Sequence, residues 1–331
     1  TDPGQSGAKL INYTNLNGNY VEFEVDNDAA YGNALIAVKD ASGTILWSWH
    51  IWICDFDPDL TCQRYSNGNA FMDRNLGATY VNAQNEENRR RSEGLFYQWG
   101  RKDPLTGGHF TVSGSFSSLE EAHANPDAIG AEPWVRIDEI RTLWGEDKTQ
   151  YDPCPSGWKV PGLAAFEGVT SCHDTGMEVY VAYDGTNTAY YPRTSYWTQS
   201  GEWIDDFSGF YWTSYYEGGV CAIAKGIRDG FADFGRSNSD ANVIRCVKDV
   251  GFTVSTGDFD VMSEYAVLSG NVKYNDATPV TDRGFVWSST TSEPTLSNAT
   301  SVASGAGDGD YTATITGLKP ETTYYVRAYA T

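Results

Sequence analysis

Apolar and polar residues alternate along several stretches of this chain, the pattern of strands with one covered face. In Tyr20–Val25, Val21, Phe23 and Val25 share one face, and Glu22 and Glu24 take the other. Residues 34–38 and 44–49 flank a turn at Asp40-Ala41-Ser42-Gly43. They predict a hairpin whose second strand runs on through His50 towards Ile53. Helical periodicity is scarce. Segment 133–144 carries apolar residues at Trp134, Ile137, Ile140, Leu143 and Trp144, as a short amphipathic helix would. Segments 118–124 and 161–169 each suit about two helical turns, and the rest of 79–153 reads as loop.

The pattern changes near residue 249. All six cysteines and ten of the eleven tryptophans precede it, and the remainder of the chain is cysteine-free and rich in Thr, Ser, Ala, Gly and Val. Two domains are expected, 1–249 and 250–331. In the second, strands are predicted at 266–272, 283–287, 311–315 and 324–329. The run Leu318-Lys319-Pro320-Glu321-Thr322-Thr323-Tyr324 reads as a turn feeding the last of these. Its tyrosine sits where a β-sandwich anchors a corner by hydrogen-bonding the phenol to upstream backbone.

Composition narrows the class. Among 331 residues, 14% are aromatic and 34 are glycine, which suits short strands, many turns and a large aromatic core. Acidic residues outnumber basic ones 44 to 23, for a net charge of −21. Nucleic acid and anionic membrane both require a cationic footprint, so neither is expected as a partner. No apolar run is long enough to span a bilayer directly. The opening TDPGQSGAKL lacks the apolar core of a signal peptide, so an exported protein would need a leader already removed or lying outside this sequence.

Six cysteines form an even set with no C-x-x-C, and His50, His109, His123 and His173 show no paired zinc-ligand spacing. No metal and no cofactor are therefore expected. Three disulfides in an oxidising compartment are preferred to free buried thiols. Asp55, Asp57 and Asp59 alternate as calcium ligands do, but Pro58 stiffens the turn and no distal glutamate completes a loop. A solvated acidic turn is the simpler account. His50 reads as a satisfied buried or edge histidine, and Arg89-Arg90-Arg91 as a solvated loop face. The stretch 190–216 is unusually aromatic. Trp197 and Trp203 flank a turn at Gln199-Ser200-Gly201, with Asp205 and Asp206 beside them as hydroxyl acceptors. These four are the candidate ligand-binding residues, set against core packing as the plainer role of the aromatic rings.

Five blocks carry a resemblance: Phe71-Met72-Asp73-Arg74-Asn75-Leu76-Gly77-Ala78, Gly94-Leu95-Phe96-Tyr97-Gln98-Trp99-Gly100-Arg101, Cys154-Pro155-Ser156-Gly157-Trp158-Lys159-Val160-Pro161, Tyr211-Trp212-Thr213-Ser214 and Val243-Ile244-Arg245-Cys246-Val247. In this order they resemble the fibrobacter-type major paralogous domain of exported proteins and fimbrial tip subunits. The resemblance implies the C-type lectin and formylglycine-generating enzyme fold. It also implies the pairings Cys154–Cys246 and, nested inside, Cys172–Cys221, leaving Cys54–Cys62 for a local loop. Cys246 stands where those enzymes carry a catalytic cysteine. Their second cysteine is missing, since Ala241, Asn242, Val243 and Ile244 occupy the preceding positions. The calcium-dependent sugar motifs of animal lectins are absent as well. Segment 251–331 resembles a fibronectin type III module. Completing such a sandwich calls for one more strand, from continuation of the chain or from a partner by edge addition.

The expectation is an α+β, mostly β protein: a C-type lectin-like domain followed by a β-sandwich. It is expected to be extracellular, at the cell surface, and without a catalytic centre. Its role would be that of an adhesin or tip-type subunit recognising a glycan or a host or partner surface protein. The alternative is a structural subunit of a filament or stalk, contacting other appendage subunits. An enzyme of the formylglycine-generating type comes third.

Overall fold

Turn-forming residues interrupt the chain so often that its strands run from two to nine residues, in several small and almost entirely antiparallel sheets with a few short helices. The computed structural model describes residues 10–26, 31–82, 85–105, 110–174, 178–206, 208–219, 221–227, 231–249, 253–273 and 280–331. The fold is mostly β. It divides into two compact units, Thr1–Lys248 and Asp249–Thr331.

The core of the first unit is built on tryptophan. Trp99, Trp134, Trp144 and Trp212 are all buried. A buried indole N–H needs an acceptor, and each of these finds a backbone carbonyl. Trp99 Nε1 donates to Thr213 O (2.7 Å), Trp134 Nε1 to Trp99 O (2.9 Å), Trp144 Nε1 to Tyr151 O (3.0 Å) and Trp212 Nε1 to Tyr97 O (2.7 Å). The rings thus bury their area and tie together segments far apart in the sequence.

Residues 241–248 thread through this core. Trp212 N donates to Val243 O, Leu76 N to Ile244 O and Met72 N to Cys246 O. Val247 lies opposite both Phe71 and Lys159 in one small sheet. Cys246 is joined to Cys154 by a disulfide across a sequence separation of 92. Between these contacts Arg245 is fully buried and donates to Asn75 Oδ1 (2.7 Å), Met72 O (3.3 Å) and Tyr190 O (2.9 Å). Its guanidinium lies 4.2 Å over the Tyr191 ring.

Two hairpins precede that core. In the first, β1 (Ile11–Asn17) pairs with β2 (Tyr20–Val25). Val21, Phe23 and Val25 share a face, as the alternation predicts, but the face is not covered: Phe23 is 41% and Leu16 57% exposed. Alternation reports which residues share a face, not whether anything lies on it. In the second hairpin, β3 (Gly32–Lys39) pairs with β4 (Ile45–Ile53). Asp40 closes the turn by accepting from Ser42 N, Ser42 Oγ and Thr44 N.

The helices depart from expectation. Segment 133–144 yields only the short helix Ile137–Ile140, because the Trp134 carbonyl accepts from Phe116 N while Trp134, Ile140, Leu143 and Trp144 are all buried in the same core. Where 161–169 suggested two turns there is a 3-10 turn, Leu163–Phe166. The helix Leu119–Ala124 forms behind its Ser118 cap. Arg89–Arg91, expected on a loop, lie in the helix Glu86–Glu93, where Arg89 is buried in an ion pair with Glu93. Pairing at i,i+4 needs the helix, and the bare charge run does not reveal it.

In the second unit, Thr253–Val261, Tyr265–Lys273 and Gly309–Thr316 form one sheet, and Thr300–Ala303, Arg283–Ser288 and Tyr325–Ala330 another. Leu268, Val272, Phe285, Tyr311 and Ile315 are buried in a common cluster. The Tyr324 phenol oxygen accepts from Lys319 N (3.1 Å), closing the turn before the last strand.

The threaded segment can be probed at two points. Replacing both Cys154 and Cys246 by alanine is expected to lower the unfolding free energy by about 3–5 kcal/mol, read from urea denaturation. Arg245→Met, which strips donors from three buried acceptors, is expected to cost about 3 kcal/mol in the same assay.

Candidate functional site

An open groove of about 760 Å³ lies between β4 and segment 150–155. Six consecutive residues of β4, Trp47 to Trp52, line it. Successive strand side chains point to opposite faces, so a cleft touching all six follows the strand's edge. Among the described residues β4 has a hydrogen-bonded strand neighbour, β3, on one side only, and its other edge borders the groove. Trp47, Trp49, Trp52 and Phe56 supply aromatic walls, and Pro153 and Pro155 stand opposite. The Trp52 and Phe56 rings pack at 4.9 Å, and the Arg74 guanidinium lies 4.0 Å over Phe56.

A buried polar cluster holds the floor. Lys102 Nζ sits 2.6 Å from Asp103 Oδ2, donates to Ser48 O (3.0 Å) and Ser48 Oγ (2.6 Å), and lies 4.5 Å over the Trp47 ring. Ser48 Oγ in turn reaches both Asp103 oxygens at 2.9 Å. Burial lowers the Lys102 pKa, and Asp103 opposes that shift. The carbonyl of Ser48 thus accepts from the Lys102 ammonium.

His50 braces the hairpin from behind. Its Nε2 donates to Asn33 Oδ1 (2.8 Å), and its Nδ1 accepts from the Tyr97 hydroxyl (3.3 Å). Asn33 Nδ2 donates onward to Gly77 O (2.8 Å), which orients its oxygen towards the histidine. Burial depresses the His50 pKa to about 4, with Asp103 pulling weakly the other way, so the ring is neutral at physiological pH. His123 stacks on Tyr151 at 5.4 Å and meets Trp47 edge-on at 5.2 Å. Burial first, and the charge of Lys102 second, lower its pKa to about 4.

The residues expected at a ligand surface lie elsewhere. Trp197 and Trp203 are cross-strand partners with ring centroids 4.8 Å apart. Trp197 is half-buried against Phe110 at 4.7 Å, at the margin of a core cluster. Trp203, 38% exposed, leans edge-on against Phe96 at 5.3 Å. Asp205 and Asp206 are exposed, but Asp205 Oδ1 accepts from Ser195 Oγ (2.7 Å) and Asp206 Oδ1 from Ser208 N (3.0 Å). The structure brings the two rings together, each also packed against a phenylalanine, with Trp203 still partly exposed. Asp55, Asp57 and Asp59 also diverge: Asp55 faces Arg74 (3.7 Å), Asp57 caps a helical turn, and Asp59 pairs with Lys248 (2.6 Å).

The cysteines pair less completely than expected. Cys154–Cys246 is a cystine, so Cys246 has no thiolate to offer. Cys54, Cys62 and Cys221 are free thiols, so the expected Cys54–Cys62 bridge is not formed, while the expected Cys172–Cys221 pairing rests on a side chain outside the described residues. Cys62 Sγ is directed at Asp59 O (3.6 Å) and Cys221 Sγ at Glu217 Oε2 (3.2 Å). Cys54 lines the groove, where burial pushes its pKa up to about 11. The side chain of Cys172 lies outside the described residues.

Nothing in the residue pattern marked Lys102 and Asp103, which come from a separate loop. The run Trp-Ser-Trp-His-Ile-Trp did hold a usable signal: aromatic rings at both parities of a strand mean that both faces meet something. No family model, curated protein or solved structure matches this chain.

The histidines generate a pH prediction with a definite sign. Unfolded, His50 takes a proton near 6.5, and folded only near 4. Between those values the unfolded state binds more protons, so stability is fully present above the upper value and falls as pH drops, by up to about 1.4 kcal/mol per pH unit. Urea denaturation across that window should show a shallower pH slope for His50→Gln than for the parent protein.

Proposed function

We propose that this chain is an extracellular, cell-surface binding protein, an adhesin or tip-type subunit of a surface appendage. It would recognise a glycan or a partner surface protein without covalent chemistry. In this reading the first unit is a C-type lectin-like domain of the fibrobacter-type major paralogous kind, and the second a fibronectin type III-like module. The observation that carries the reading is the open groove along β4, walled by Trp47, Trp49, Trp52 and Phe56 and held by a buried polar cluster. Such a cleft offers rigid aromatic area at little entropic cost, which is what non-covalent recognition uses.

Other features support it. The blocks that carry the resemblance converge in space, with residues 72–76 and Trp212 hydrogen-bonded to 243–246 and Cys154 bridged to Cys246. A cystine suits an oxidising compartment. Among the described residues no helix is long and apolar enough to cross a membrane. The alternative, a structural subunit of a filament or stalk, is favoured by the open edge of β4 and the uncovered apolar face of the first hairpin, both of which suit contacts between subunits.

Trp49 is exposed, so its loss should leave the fold intact. Trp49→Ala is expected to weaken binding to immobilised glycans or host-cell surface protein at least about tenfold, with an unchanged unfolding midpoint. Undiminished binding by that variant would remove the groove from the function. Polymers that depend on concentration and vanish when β4 is blocked would favour the filament.

A further inference from the structure

A second cleft, of about 680 Å³, is formed by three segments of the first unit: 141–146, 162–167 and 214–218. Its composition differs from that of the β4 groove. At its base lies Ser214, on the strand Phe210–Gly218, only 7% exposed. Ser214 N donates to Pro161 O (2.8 Å), which holds the strand against the segment entering the turn Leu163–Phe166. The Ser214 hydroxyl points towards Gly162, where a Cβ would lie 3.8 Å from Oγ, and both residues line the cleft. Among the described residues that hydroxyl has no hydrogen-bond partner and is not sealed from solvent, so it is open to the cleft, where a ligand hydroxyl would replace water on it.

The walls and rim are equally specific. Tyr215, 49% exposed, presents its ring, and Tyr216 packs on Trp99 at 5.2 Å so that its orientation is held. Glu146, Glu167 and Glu217 stand at the rim with Arg141, all exposed. None of these four forms an ion pair among the described residues. Glu217 accepts from Cys221 Sγ, which leaves its other oxygen unengaged.

We infer that this cleft is a saccharide site taking a neutral or amino-bearing pyranose ring. The ring's C–H face lies on Tyr215, one hydroxyl meets Ser214 Oγ, and the rim carboxylates accept further hydroxyl or ammonium hydrogens. Three carboxylates against one guanidinium disfavour an anionic sugar such as a sialate or uronate. The site shares no lining residue with the β4 groove, so it stands or falls separately from the function proposed there.

Saturation-transfer NMR on the full chain with galactose, glucosamine and N-acetylneuraminate tests the inference. Galactose or glucosamine should bind and N-acetylneuraminate should not. Tyr215→Ala should weaken binding about tenfold, and Ser214→Ala about fivefold. Tyr20→Ala, on the exposed first hairpin, should leave it unchanged. Ser214 is buried, so the exposed Tyr215 and the pair Glu167→Gln, Glu217→Gln serve as variants that do not depend on core packing. No transfer from any of the three sugars overturns the site, as does equal binding of N-acetylneuraminate or binding indifferent to the Tyr215 and Glu variants. A lysine-rich peptide that displaces the sugar only at low salt would instead make the rim a cation-binding surface and overturn the saccharide assignment.

Discussion

A guanidinium in the middle of an aromatic core constrains this structure more than any other group. Arg245 is fully buried, and removing its charge from water is costly unless acceptors surround it. Asn75, Met72 and Tyr190 provide those acceptors, and Tyr191 provides a ring face. The segments that carry them have to converge on residue 245 for the charge to be tolerated. The adjoining cystine and backbone hydrogen bonds hold the same strand on either side.

The β4 groove depends on that frame. The hairpin of β3 and β4 is attached through side chains, with Lys102 and Asp103 gripping Ser48, and Asn33 and Tyr97 gripping His50. Attachment through side chains leaves a strand edge without a strand beside it. The walls of the groove are thereby oriented by contacts within the protein itself. The second cleft differs in its rim, where Glu146, Glu167, Glu217 and Arg141 stand exposed in place of tryptophan walls, so one unit displays two recesses with different rims.

Much of the strand pattern was legible. The β3–β4 hairpin, its Asp40 turn and the strands of the second unit agree with alternation and turn residues. The helices at 133–144 and 86–93 were not, because tryptophan burial overrode one periodicity and an i,i+4 pair created the other. For the candidate sites, an aromatic-rich segment was visible at 190–216, but not which rings would cover each other. Trp197 and Trp203 are neighbours across a ladder and pack on each other, on Phe110 and on Phe96.

The order of residues determined by itself only local properties: strand propensity, turn positions, the acidic balance and the cysteine inventory. The Cys154–Cys246 bridge agrees with the pairing that the resemblance implied, but only the tertiary structure decided that Cys54 and Cys62 do not meet, since a bridge requires two sulfurs to converge. It likewise decided that Trp47 to Trp52 border an open groove and that the Ser214 hydroxyl faces a cleft. Both depend on segments far apart in the chain, and the spacing along one strand carries no record of what will pack beside its edge.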